Sequence, residues 1–115
     1  MSHPLRAIVV GLNHYHVTGW VETLGLFPAQ IEIVGRYDPD PSRADASRPE
    51  FVDPNLPQQF ADWFGDIPFS SNLEALVSET GAELAIVTLP NRLAPNAVVT
   101  LARNGCHVIM DKPGA

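Results

Sequence analysis

The sequence predicts an α/β fold, a doubly wound parallel sheet in a single domain covering residues 1–115. Two observations carry this reading. Four short apolar runs, at 6–10, 31–37, 84–89 and 107–110, are each followed at once by Gly, Asp or Pro, as expected of strands buried on both faces of a parallel sheet. Between them lie stretches with apolar residues at helical spacing, so strands alternate with helices and the crossovers should be right-handed. A chain of 115 residues should bury about two-thirds of the surface its unfolded form exposes, enough for one modest core.

Arg6 to Val10, ending at Gly11, is the first strand. His16 to Leu26 places Val17, Trp20, Val21 and Leu24 at helical spacing with Gly25 near the end, which suits a helix lying on the sheet. Ile31 to Tyr37 is rich in β-branched residues and stops at Asp38-Pro39. Five prolines, at 39, 41, 49, 54 and 57, then leave room for only a helical turn or two at Ser42 to Ser47. Gln58 to Phe64 reads as a short helix with Phe60, Trp63 and Phe64 on one side, and Phe69 as a brief third strand. Asn72 is placed to cap the next helix, with Leu73, Leu76 and Val77 inward and Gly81 ending it. Leu84 to Leu89 is a central strand. A further helix starts near Pro95 with Val98, Val99, Leu101 and Ala102 inward and stops at Gly105, and His107 to Met110 is the last strand.

Composition narrows the function classes. The formal net charge is -6 and the six arginines are scattered, so no basic stripe offers itself to nucleic acid or an anionic membrane surface. The sequence has no run of about eighteen apolar residues and no secretory leader pattern, which predicts neither membrane spanning nor export. Cys106 is the single cysteine; an intrachain disulfide is excluded and a cytoplasmic setting is expected.

Several residues are candidates for chemistry. The turn after the first strand reads Gly11-Leu12-Asn13-His14-Tyr15-His16. In a dinucleotide-binding fold this turn carries G-x-G-x-x-G, whose glycines let the backbone bend and approach a pyrophosphate. Only Gly11 matches; Asn13 tolerates positive φ, and His16, at the third glycine position, could aim its ring at phosphate. A plain strand-to-helix turn is the alternative. Asp38 ends the second strand about twenty residues further on, the spacing at which an acid accepts from the adenosine ribose hydroxyls. A carboxylate there favours NAD and repels the 2′-phosphate of NADP, although Arg36 and Arg43 stand close enough in sequence to soften that preference, so NADP is not excluded. The alternative is an Asp-Pro turn acid without a ligand. His14 and His16 do not make a metal pair, since residues two apart on a helix face different ways and no cysteine or acid is near; no metal is expected. His107 reads as a core or edge histidine.

Near the end, Asp111-Lys112-Pro113 follows the last strand and presents the chain's only lysine. Taken with Thr88-Leu89-Pro90-Asn91 after the fourth run and Gly11 after the first, it resembles the nucleotide-binding half of the Gfo/Idh/MocA oxidoreductases. The family's Glu-Lys-Pro is Asp111-Lys112-Pro113 here, its Thr-Pro-Asn gains Leu89 before the proline, and the position where the family often has histidine is Ala94. The resemblance implies a Rossmann-like domain in which Gly11, Asn13, His14, His16, Asp38, Arg43, Thr88, Pro90, Asn91, Asp111, Lys112 and Pro113 surround NAD. It implies that Lys112 is the catalytic residue of this part, reaching the nicotinamide ribose and the substrate hydroxyl and stabilising developing negative charge. It also implies that the chain is the N-terminal part of a longer enzyme. A small-molecule substrate, sugar or polyol-like, would be held by a following C-terminal domain, which leaves room for homo-oligomers of the full-length protein. The chain alone is then not expected to turn over substrate. Two other functions remain open: a non-catalytic nucleotide-binding or interaction module, and a receiver-type signalling domain, which lacks here its acidic pair after the first strand.

Overall fold

A computed structural model describes residues 3–12, 20, 23–41 and 67–110 of the chain. Five parallel strands, β1 (Leu5–Val10), β2 (Ile31–Tyr37), β3 (Phe69–Ser70), β4 (Leu84–Val87) and β5 (His107–Met110), form one sheet in the order β3-β2-β1-β4-β5. This is the order of the dinucleotide-binding α/β fold, whereas a receiver-type sheet runs 2-1-3-4-5. The topology therefore removes the signalling alternative.

Among the described residues two helices lie on one face. Helix α1 (Leu73–Thr80) begins where the Asn72 Oδ1 accepts the Ala75 amide at 3.0 Å, and it ends at Gly81 with φ 66°, a left-handed position that glycine takes without penalty. Helix α2 (Ala94–Arg103) has proline in its first turn and Asn104-Gly105 at its end. Together they cover a core of Ile8, Val10, Leu76, Val77, Ala85, Val87 and Leu101. On the opposite face Ala7, Leu84 and Ile86 form a second core with Leu24, against which Trp20, Ile31 and Ile33 pack. Trp20, Thr23 and Leu24 are helical, while residues 16–19, 21 and 22 of the helix expected at 16–26 lie outside the described residues. The helical pieces expected at 42–47 and 58–64 lie outside the described residues.

One irregularity matters for the site. Ala7 pairs with Ile33 but Ile8 pairs with Gly35, so Val34 is an extra residue in β2. A bulge of this kind shifts the alternation of faces. Ile33 belongs to the second core, while Gly35, only two residues on, faces α1: a Cβ there would lie 2.9 Å from Leu76 Cδ1.

Two expectations are corrected. Strand β4 stops at Val87, two residues early, because Leu89 and Pro90 turn away to start α2, with the Pro90 carbonyl accepting the Leu93 and Ala94 amides at 2.9 and 3.0 Å. On α2 the buried residues are Ala94, Ala97 and Leu101, while Val99 and Ala102 are exposed; the helix begins a residue before Pro95 and rests on the sheet through small side chains. His107, expected in the core or at an edge, is exposed on the edge strand β5.

Candidate functional site

Strands β1, β2 and β4 are neighbours in the sheet, and their carboxyl ends deliver Gly11, Asp38 and Thr88 to one place. Ligands of open α/β sheets bind beyond this edge. The Gly11 amide donates to the Tyr37 carbonyl at 2.8 Å, and the Thr88 amide donates to the Val10 carbonyl at 2.9 Å, so the ladder on both sides of β1 continues one step past the strand. Gly11 then departs with φ 103°, a conformation that other residues rarely adopt. It is also crowded: a Cβ would lie 2.9 Å from the Leu89 nitrogen and 3.0 Å from the Thr88 carbonyl carbon. Both reasons require glycine at this turn.

The side chains at this edge are engaged with backbone. Asp38, 6% exposed, accepts the Leu12 amide at Oδ2 and the Asp40 amide at Oδ1, each at 2.9 Å. It thereby joins the end of β2 to the turn after β1. Thr88, 4% exposed, donates its hydroxyl hydrogen to the Gly11 carbonyl at 2.8 Å. Pro90 and Asn91 are exposed just beyond β4. Burial pushes the Tyr37 phenol above its ordinary pKa, and the neighbouring Asp38 charge adds to the effect.

Arg36 has a different role from the one its position in sequence suggested. Its side chain is buried, donates from Nε to the Ile67 carbonyl at 3.0 Å and lies with Cζ 5.2 Å from the centre of the Phe69 ring. Burial lowers its pKa. It is tied to the segment carrying β3, and as a buried group it is not poised to meet a 2′-phosphate.

Of the candidate residues, Gly11, Asp38, Thr88, Pro90 and Asn91 are thus collected along one sheet edge. Asn13, His14, His16, Arg43, Asp111, Lys112 and Pro113 lie outside the described residues. Leu12 and Asp40, which contribute backbone amides, were not singled out from sequence, because a main-chain donor leaves no signature in residue type. Gly35 did have one, a lone glycine within a strand, which marks close approach of another element.

The described edge fits a dinucleotide on two counts. Gly11 brings bare backbone to the turn, and Asp38 offers more acceptor sites, about four on a carboxylate, than the two amides occupy. Among the described residues no helix is long and apolar enough to cross a membrane.

Comparison with known proteins agrees with this geometry. The model of the oxidoreductase family GFO_IDH_MocA, NAD-binding Rossmann fold, matches residues 5–115. No curated protein matches the sequence. Among solved structures, the WlbA dehydrogenase from Chromobacterium violaceum, in complex with NADH and UDP-GlcNAcA, is similar with a TM-score of 0.74 and 20% identity, covering 100% of this chain and 29% of that one. An oxidoreductase from Agrobacterium radiobacter, in complex with NAD+, L-tartaric acid and magnesium, gives 0.71 at 17% identity, covering 96% of this chain and 28% of its own. A lysine-to-alanine mutant of KijD10, a 3-ketoreductase from Actinomadura kijaniata in complex with TDP-benzene and NADP, gives 0.69 at 22% identity, with coverages of 96% and 31%. The chain therefore spans under a third of these proteins. With a family model matched over nearly its whole length and a sheet of the corresponding order, the chain belongs to the Gfo/Idh/MocA oxidoreductase family, as an NAD-binding Rossmann domain.

Proposed function

We propose that this chain is the cofactor-binding part of an enzyme that moves a hydride between a nicotinamide and a hydroxyl-bearing carbon of a sugar or polyol-like substrate. The observation that carries the proposal is the convergence of Gly11, Asp38 and Thr88 at the carboxyl edge of β1, β2 and β4. The complexes of WlbA with UDP-GlcNAcA and of KijD10 with TDP-benzene support a sugar-type substrate. The hydride chemistry itself is what a nicotinamide supplies when bound.

Each residue then has a task. Gly11 and the following Asn13, His14 and His16 bring backbone and ring donors to the pyrophosphate. Asp38 accepts from the adenosine ribose hydroxyls and disfavours a 2′-phosphate by charge repulsion, with Arg43 as a countervailing charge. Thr88, Pro90 and Asn91 border the nicotinamide ribose. Lys112 donates a hydrogen bond to the reacting oxygen and stabilises negative charge developing there, with Asp111 beside it and Pro113 stiffening the backbone that aims it. Substrate contacts and the proton donor would come from a further domain, and homo-oligomers would form through it.

Calorimetric titration with NADH and, separately, NADPH tests this. Binding of NADH in preference to NADPH is expected. Failure to bind either would overturn the reading.

A further inference from the structure

Gly11 and Leu12 share one peptide group, and two side chains hold it from opposite edges. The Thr88 hydroxyl donates to the Gly11 carbonyl at 2.8 Å, and the Asp38 carboxylate accepts the Leu12 amide at 2.9 Å. Both residues are buried, at 4% and 6% exposure. They come from different strand ends, 50 residues apart in sequence (88 minus 38). In a trans peptide the C=O and N–H point in opposite directions within one rigid plane. Turning the plane over would break both hydrogen bonds and leave a buried hydroxyl and a buried carboxylate oxygen facing the wrong group.

We infer that Thr88 and Asp38 are paired positioning residues, clamping the Gly11–Leu12 peptide so that the turn leaving β1 is preset for the dinucleotide. The need for such a clamp follows from Gly11 itself. At φ 103° the backbone is in a region that glycine enters and leaves more readily than any other residue, so the geometry that admits close approach also admits other orientations of the peptide. Thr88 removes them from the β4 side and Asp38 from the β2 side. Because one rigid plane carries both bonds, losing either frees the same motion, and the two effects should not be independent. This assigns to Thr88 an action through the Gly11–Leu12 peptide. The consequence for cofactor affinity rests on the function proposed above; the clamp does not.

The test combines amide hydrogen exchange by NMR with NADH titration for the unaltered chain, Thr88→Val, Thr88→Ser, Asp38→Ala and the double variant Thr88→Val/Asp38→Ala. Thr88→Val keeps the shape and removes the donor. It should speed exchange of the Leu12 amide by about three- to tenfold relative to Ile8 and Val9 in the middle of β1, the scale of one ordinary hydrogen bond. Thr88→Ser, which keeps the hydroxyl, should restore protection. Thr88→Val and Asp38→Ala should each weaken NADH, Asp38→Ala the more because it also removes the proposed ribose acceptor, and the double variant should lose clearly less than the product.

Unchanged relative protection of Leu12 in Thr88→Val, or losses of NADH affinity that multiply, would overturn the clamp. If Thr88→Val does not fold, the unaltered chain decides: a slowly exchanging Thr88 hydroxyl proton is expected, and a hydroxyl in fast exchange with water overturns the inference. If the unaltered chain binds no NADH while Leu12 protection still depends on the Thr88 hydroxyl, the cofactor reading fails and the clamp stands.

Discussion

A Cβ placed on Gly11 would lie 2.9 Å from the Leu89 backbone nitrogen, so the turns that follow β1 and β4 touch backbone to backbone at this glycine. Neither turn can yield as a side chain would. Gly11→Ala therefore carries two costs, the positive φ of 103° and the collision. The φ alone is worth about 1–3 kcal/mol. Gly105 separates the two, since its φ is 75° and a Cβ there would meet nothing within 4 Å. Urea denaturation should show Gly105→Ala losing about 1 kcal/mol and Gly11→Ala losing at least twice as much. Equal losses would mean that the Leu89 contact has no energetic weight.

Gly35 makes the corresponding contact on the helical side, but with side chains. An added methyl would come within 2.9 Å of Leu76 Cδ1 and 3.3 Å of both Ile8 Cγ2 and Thr80 Cγ2. Overpacking of this size costs about 1–3 kcal/mol. Shortening Leu76 should relieve it. We expect Gly35→Ala/Leu76→Val to be more stable than the sum of the single losses allows, by about 1 kcal/mol. Additive losses in denaturant melts would place the strain elsewhere.

These two glycines also mark what could be read in the sequence. Features written in local chemistry were legible: the bounds of β2, from its β-branched run to Asp38-Pro39; the Asn72 cap and the Gly81 stop of α1; the meeting of Gly11, Asp38 and Thr88 at strand ends, which follows from parallel pairing. Features that depend on what lies opposite were not. The extra residue at Val34 appears only once β1 supplies a register, and it is what turns Gly35 toward Leu76. Val99 and Ala102 have apolar side chains at helical spacing, yet α2 meets the sheet through Ala94, Ala97 and Leu101. Arg36 looked available because arginine is rarely buried, but the Ile67 carbonyl and the Phe69 ring hold it in place.

Cys106 provides a prediction with a sign in pH. Its thiol is buried, and burial first, then the Glu83 charge, raises its pKa. The unfolded chain, with an ordinary thiol, loses its proton at lower pH than the folded one. Between those two values the folded state binds more protons, so stability falls as pH rises. The contribution is complete below the ordinary thiol range and is lost above it. Thermal melts should show this decline beginning below the range in which Tyr37, also raised by burial, begins to contribute in the same direction. Cys106→Ala should flatten that first part of the decline. A curve unchanged by the substitution would show that the thiol titrates alike in the folded and unfolded states.

Asp38 joins stability to cofactor choice, and two substitutions divide the roles. Asp38→Ala takes the acceptor from the buried Leu12 amide, at about 1–3 kcal/mol for a group buried without a partner, and from the amide of exposed Asp40 at a smaller cost. Asp38→Asn keeps one carbonyl oxygen and should lose about half as much in denaturant melts. Repulsion of a 2′-phosphate, by contrast, needs the charge and not the acceptor. Both variants should therefore lose NADH preference over NADPH to a similar extent, on the order of tenfold for about 1.4 kcal/mol of charge repulsion, although they differ in stability. If Asp38→Asn retains the full preference, selection lies with residues beyond β2 and Asp38 serves the turn alone.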